Sequence, residues 1–311
     1  MEKSIDLSVQ IAPKHQPGLL LANPVITSSG TFGYGTEYSQ LLDIQKLGAI
    51  VCKGTTLDPR EGNPQPRITE TPSGILNAIG FQNIGVKALI REKAPIWAKW
   101  RVPVIVNIDG DTADEYAQLA GELDGVAGIS GIEVNISCPN LQHGGIEFGT
   151  DPKSAAAIIT AVISATSLPV WVKLTPNTSD IARIAMAVAE AGADTLTVIN
   201  TLRGMAIDIA RRRPFLANKV GGLSGPAIKP VALYMVYEVA GAVDVPIIGC
   251  GGITTGSDAI EFFMAGASAV QIGAANFTNP RAALDILEGI KGFMEKEGIK
   301  SLEEIRGVAR G

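Results

Sequence analysis

Between Glu133 and Gly145 the chain reads EVNISCPNLQHGG. An apolar run ends there in Asn135, Ser137, Cys138 and Asn140, with a glycine pair close behind. A thiolate is a competent general base, and flanking amides could hold a polar ring against it. An ordinary thiol, with pKa near ~8.5, is mostly protonated at neutral pH. Such a base therefore needs a lowered pKa, which neighbouring lysine charge and loop N–H groups could provide, or shows a rate that rises with pH. Free cysteines also serve as small apolar packing groups. Cys52, mid-strand before Lys53, and Cys250, between two glycines, read that way. Position alone leaves Cys138 between the two roles, with His143 as the second candidate base. Glycines at 144, 145 and 149 suggest that residues 140–149 form a lid over a substrate.

Other polar residues interrupt or follow runs of Val and Ile: Ser29, Lys53, Asn107, Asn135, Lys173 and Asn200. A buried ammonium without a partner is costly, so both lysines need anions or acceptors nearby. Gly251, Gly252 and Gly273 directly follow the last two apolar runs. Glycines there let backbone N–H groups approach an anion, although they also serve plain turns. A phosphate cradle beside buried lysines suits a sugar phosphate or flavin mononucleotide (FMN). Lys173 as a Schiff base would read as an aldolase. The many amides favour a ring with several carbonyl and N–H edges, such as an isoalloxazine with a heterocyclic substrate.

The elements that must carry these residues alternate regularly. Apolar, β-branched runs begin at Asn23, Gly48, Val102, Gly131, Leu168, Thr195, Val245 and Ser268. Helical periodicity lies between most of them, as in DPKSAAAIITAVISAT with Asp151 as N-cap. Another helix, TSDIARIAMAVAEAGA, is expected to be capped by Thr178 or Ser179 and closed by Gly192. Strands apolar along their whole length imply a parallel sheet covered on both faces. The first run opens into SSGTFGYG, not into the GxGxxG of a Rossmann sheet. The count and spacing predict an α/β fold, a (β/α)8 TIM barrel with its catalytic face at the strand C-termini. Asp6–Ala22 should add an N-terminal hairpin closing the floor. The stretches 55–85 and 201–225 should be long active-site loops. No composition break divides residues 1–311, so one barrel domain is expected.

Composition narrows the classes of function. A hydrophobic content of 46% calls for a large interior, and a net charge of −5 offers nucleic acid no electrostatic footing. Arg211–Arg213 is a local exception, read first as a solvated loop. Three dispersed cysteines form no CxxC, so neither a disulfide framework nor a metal cluster is expected on this chain. With no signal-like leader and no membrane-length apolar run, a cytoplasmic protein is the expectation.

The motifs NPVITSSGTFGYG, KGTTLDPREGNPQPR, GILNAIGFQN, VNISCPN, VKLTPN, INTLRG, GGLSGPAIKP and GCGGI occur in this order along nearly the whole chain. Together they resemble the class 1 dihydroorotate dehydrogenases of pyrimidine biosynthesis. HGG after SCPN, INTLRGMAID and GGLSGPAIKPVAL resemble the NAD-linked 1B type. The resemblance implies oxidation of dihydroorotate to orotate on bound FMN. It also implies a homodimer core within a heterotetramer, whose electron-transfer subunit carries FAD and a 2Fe-2S cluster. By the same resemblance Ser29, Lys53, Gly54, Asn107, Asn135, Lys173, Ile199, Gly225, Gly251, Gly252, Gly273 and Ala274 contact FMN. Orotate is held by Lys53, Asn77, Ala78, Ile79, Gly80, Phe81, Asn135, Asn140, Asn200 and Thr201, and Cys138 is the base. Phe81 stands where the family usually has Leu, a change that an apolar and backbone contact tolerates. The alternatives are a fumarate-linked class 1A enzyme, or a barrel lyase or isomerase using Lys173.

Overall fold

The computed structural model describes residues 5–16, 18–137, 139–140 and 146–311, with the backbone alone at 139–140 and 146–147. Eight parallel strands close into a barrel. They are β1 (Val25–Thr27), β2 (Ala49–Val51), β3 (Val104–Ile108) and β4 (Gly131–Asn135). β5 (Val170–Leu174), β6 (Thr195–Val198), β7 (Ile247–Cys250) and β8 (Ala269–Ile272) complete it. Each pairs with the next in chain order, and β8 returns to β1 with Val270 opposite Val25. Every residue in these strands is buried, as two covered faces require. Branched side chains favour that extended, tightly packed setting.

Helices α1 (Val86–Glu92) and α2 (Ala94–Trp97) follow β2, and α3 (Ala113–Leu123) follows β3. α4 (Pro152–Ala165), α5 (Ile181–Glu190), α6 (Lys229–Ala240) and α7 (Gly256–Ala265) follow β4 to β7. α8 (Ala275–Thr278) and α9 (Ala282–Glu297) follow β8. Asp151 caps α4 as expected, accepting from Ser154 N at 2.8 Å. The cap of α5 is Asp180 and not Thr178 or Ser179. Thr178 Oγ1 instead accepts from Asp180 N, which leaves the Asp180 carboxylate to accept from Arg183 N at 3.0 Å. Gly192 ends this segment at φ +106°.

The floor is closed by a hairpin, Val9–Gln10 against Leu20–Leu21. Thr195 Oγ1 donates to Ile11 O, and His15 Nε2 lies 2.7 Å from Ser167 O. Thr195 opens β6 and Ser167 precedes β5, so this hairpin sits at the N-terminal end of the barrel.

The two long loops are more ordered than loop chemistry suggests. Leu202–Gly204, Gly221–Ser224, Gly74–Asn77 and Ile68–Thr71 form, in that order, a four-stranded antiparallel sheet. Excursions that follow β2 and β6 are thereby joined into one cover. Of the expected lid, the stem is described: Pro139–Asn140 pairs antiparallel with Ile146–Glu147. Below the stem, Gly149 N donates to Ile136 O at 2.7 Å. Cys138 and 141–145, including His143, lie outside the described residues, as does the Asn140 side chain. Among the described residues no helix is long and apolar enough to cross a membrane.

Candidate active site

Barrels of this type usually fill their interior with branched aliphatic side chains. Here a polar layer crosses it. Glu133 on β4 is fully buried. Its Oε1 accepts from Asn107 Nδ2 at 2.9 Å, and its Oε2 accepts from Thr197 Oγ1 at 2.9 Å and from Gln271 Nε2 at 2.5 Å. Lys173 Nζ stands 3.9 Å from Oε1 and donates to Ser28 Oγ at 2.9 Å and Gln271 Oε1 at 3.0 Å. The acceptors that a buried Lys173 demanded are therefore present, contributed by β4, β8 and the residue after β1. Buried polar groups bonded in this way hold one arrangement, because breaking any bond leaves a desolvated partner.

Above this layer the amides converge. Asn135 is two residues beyond Glu133 on β4, and residues two apart on a strand share a face. Its Nδ2 donates to Asp109 Oδ1 at 2.8 Å. Its Oδ1 accepts from Asn200 Nδ2 at 3.1 Å and from Ser137 N at 3.2 Å. Asn200 Nδ2 also lies 3.0 Å from Ser137 Oγ, and Thr201 N donates to Asn200 Oδ1 at 2.8 Å. Tyr116 OH reaches from α3 to Asn135 O at 2.6 Å. The backbone entering Cys138 is thus held by side chains from β4, from the end of β6 and from α3.

Two glycines of the mouth are closely enclosed. A Cβ on Gly252, at φ +72°, would fall 2.7 Å from Lys229 N and 2.9 Å from Gly225 O. One on Gly251, at φ +133°, would fall 2.7 Å from the Ala232 Cβ and 3.6 Å from Ile199 Cγ1. Gly273 is less crowded: a Cβ there would make ordinary contact with Ser28 Cβ at 3.6 Å and Thr31 Cγ2 at 3.9 Å. The start of α7 is already used internally, because Asp258 Oδ2 accepts from Thr254 N and Thr255 N in a capping box. Lys229 Nζ ties Asp258 at 2.7 Å and Glu261 at 2.9 Å, joining the starts of α6 and α7 beside these glycines. Ala274 is the N-cap of α8, and Ser29 sits partly exposed between the buried Ser28 and the exposed Gly30.

The cover supplies the rest. Asn77 Nδ2 donates to Gly222 O at 3.3 Å, and a Cβ on Gly222 would collide with the Thr201 side chain. Asn63 N bonds Ile79 O, and its Nδ2 bonds Ala78 O at 3.0 Å. Gly80 (φ +75°) and Phe81 (φ +54°) turn the chain. Phe81 Cδ1 comes 3.8 Å from where a Gly54 Cβ would stand, and that same Cβ would fall 2.8 Å from Asp109 Oδ2. A side chain at 54 would press on the Asp109 carboxylate and the Asn107 amide. Lys53 lines a cleft of about 470 Å³ with Tyr34, Arg60, Gln82 and Asn83. Burial, and after it the Arg67 charge, hold the Lys53 ammonium below its usual pKa of 10.5. Burial pushes the Cys52 thiol up to about 12, which suits a packing role.

The site residues expected from sequence and described by side chain therefore gather at one end of the barrel, through the contacts given above; Ser29 and Ala274 join them by chain position. Reading by residue type missed Glu133, Thr197, Gln271, Ser28 and Asp109. A signal was available in the alternation of Glu133 with Asn135, and of Thr195 with Thr197, in strands otherwise apolar. Arg211–Arg213 stays on the exposed surface, with Arg211 Nε 3.6 Å from Asp208 Oδ2.

A closed parallel barrel with a layer of lysine, carboxylate and amide groups at its C-terminal mouth has the architecture of a barrel enzyme. The chain belongs to the dihydroorotate dehydrogenase family, whose profile matches residues 12–294. Among curated relatives it is 54% identical over 303 residues to the "Dihydroorotate dehydrogenase B (NAD(+)), catalytic subunit" of Geotalea uraniireducens, covering 97% of this chain and 98% of that protein. It is 57% identical over 289 residues to the protein of the same name from Desulforamulus reducens, covering 93% and 95%. The Trichlorobacter lovleyi protein, again of that name, is 56% identical over 293 residues, covering 94% and 96%.

Proposed function

We propose that this chain oxidises dihydroorotate to orotate in pyrimidine biosynthesis, as the FMN-binding catalytic subunit of an NAD-linked enzyme. The observation that carries the reading is the buried Lys173 paired in register with Asn135, whose amide meets that of Asn200, on a chain of this family. FMN supplies the two-electron acceptor: dihydroorotate gives its C6 hydrogen with an electron pair to the ring and its C5 proton to a base.

The donor set fits such a group. Lys173, Asn107 and Asn135 offer ammonium and amide groups to a ring with carbonyl and N–H edges, and the part-exposed backbone of Gly273, directly after β8, suits close approach by a phosphate. Lys53, Gly54, Ile199, Gly225, Gly251, Gly252 and Ala274, with Ser29, complete the cofactor site. Lys53 and the Asn77–Phe81 turn hold the substrate carboxylate, while Asn135, Asn140, Asn200 and Thr201 hold its ring. Cys138 receives the C5 proton. The bonds from Asn135 and Asn200 hold Ser137, the residue before it in the chain. Lys173 Nζ is taken up by Ser28 Oγ and Gln271 Oε1 and stands beside Glu133, the setting of a hydrogen-bond donor and not of an amine nucleophile. Electrons then pass to NAD+ through a partner subunit bearing FAD and a 2Fe-2S cluster, around a homodimer core.

Anaerobic addition of dihydroorotate to the purified yellow protein should bleach the flavin bands. Flavin that stays oxidised would withdraw the substrate, and a protein that cannot retain added FMN would withdraw the cofactor as well. Orotate affinity should also fall as pH rises. The bound anion favours charged Lys53, whose proton leaves the free protein below pH 10.5. The folded state thus binds fewer protons than the unfolded chain in that window, so stability from this group rises with pH while anion binding weakens. A titration monitored by the flavin spectrum and flat from pH 7 to 10.5 would remove Lys53 from the carboxylate contact.

A further inference from the structure

Glu133 is a buried charge that none of the roles above uses. Its two oxygens face donors only: Asn107 on β3, Thr197 on β6 and Gln271 on β8, with the Lys173 ammonium 3.9 Å away. That is the environment of a carboxylate anion. Its nearest cation is the lysine that, under the function proposed above, faces the flavin. Asparagine or serine would also have filled the layer without bringing a second charge into the barrel. Continuing a buried carboxylate–lysine pair in place of apolar packing seldom adds stability, so its presence calls for another explanation.

We propose that Glu133 sets how readily the bound flavin is reduced. Reduction adds two electrons and one proton to the ring, which ends one negative charge richer. Lys173 alone would favour that product strongly. Glu133 offsets its ammonium, so the reduced ring is held less tightly and gives up its electrons more easily. Under the proposed function the electrons come from dihydroorotate and must leave toward nicotinamide, a poor acceptor, as in the NAD(+)-linked relatives. A carboxylate beneath the flavin lysine suits such an outlet. Glu133 acts here through Lys173 and is a positioning and tuning residue. Asn107, Thr197 and Gln271 keep it in place by occupying its other lone pairs. This inference rests on the FMN reading above.

The test is the equilibrium of the FMN-loaded protein with a reference redox dye under slow enzymatic reduction, with no dihydroorotate present. Glu133→Gln keeps shape and removes the charge. It should shift the equilibrium toward reduced flavin by at least about tenfold, which is about 30 mV for a two-electron couple. Thr197→Val removes one bond to the carboxylate but keeps its charge, and should shift it by less than about threefold, below the scale of a unit charge in a dry interior. An unmoved equilibrium in Glu133→Gln overturns the proposal. So does a Thr197→Val shift of equal size, which would mark a packing disturbance. If Glu133→Gln does not hold flavin, Glu133→Asp takes its place: it draws the charge one carbon back from Lys173 and should shift the same way by less, and no shift there also overturns the idea. A wild-type chain that retains no FMN is seen before any dye is added, and it sinks the proposed function, not this inference alone.

Discussion

Cys138→Ala is expected to purify with its yellow cofactor and to lose ~10²–10⁴-fold in turnover, the usual scale for removal of a general base. The loss belongs to proton removal at C5, so the flavin spectrum and orotate affinity should stay close to wild type. Two features make the residue a sharp target. The backbone leading to it is fixed by Asn135 Oδ1 accepting from Ser137 N, while Asn200 Nδ2 bonds Ser137 Oγ. The other cysteines are buried, and Cys52 is held protonated by burial. In the wild type, stopped-flow reduction by dihydroorotate should accelerate as pH rises toward thiolate formation. The alanine variant should lose that rise along with the rate. Near wild-type reduction in Cys138→Ala would move the role elsewhere, with His143 the next residue to replace.

Lys173→Ala should weaken FMN retention, slow flavin reduction and destabilise the fold together. Removing the lysine leaves Glu133 as a fully buried carboxylate without its cation, and breaking a buried pair from one side costs roughly 3–5 kcal/mol. Ser28 Oγ and Gln271 Oε1 lose their donor in the same step. Flavin content after gel filtration, the rate of reduction and the thermal midpoint of the apoprotein separate these effects. Unchanged flavin content and reduction rate would take Lys173 out of the site, whatever happened to stability. Glu133→Gln/Lys173→Gln, which removes both charges, should recover part of the stability and none of the flavin binding. That split follows from the pair being a structural unit, while the ammonium is the part turned to the cofactor.

The strands were legible because their burial is local information. Eight apolar, β-branched runs alternating with helical stretches admit few solutions other than a parallel barrel, and all eight became strands. The cap of α5 shows where that reasoning stops. Thr178, Ser179 and Asp180 are all good caps by type, and only the path of the chain selects Asp180. The cover was harder. Gly74–Asn77 and Gly221–Ser224 are adjacent strands separated by more than a hundred residues, and neither has a long apolar pattern of its own. Pairing at that distance in the chain leaves no signature in short windows, so both stretches read as loops.

What the sequence by itself determined is the barrel, the ends of its strands as the place for chemistry, and the residue types gathered there. Alternation, strand composition and ordered motifs are properties of neighbours in the chain, and they survive without coordinates. The tertiary structure alone decided who bonds to whom across the barrel. Glu133 becomes the centre of the polar layer only when closure brings Asn107, Lys173, Thr197 and Gln271, from four other strands, around one point. A charge on a strand reads as an anomaly until the partners that stabilise it arrive, because desolvation and pairing depend on distance in space and not on spacing in sequence.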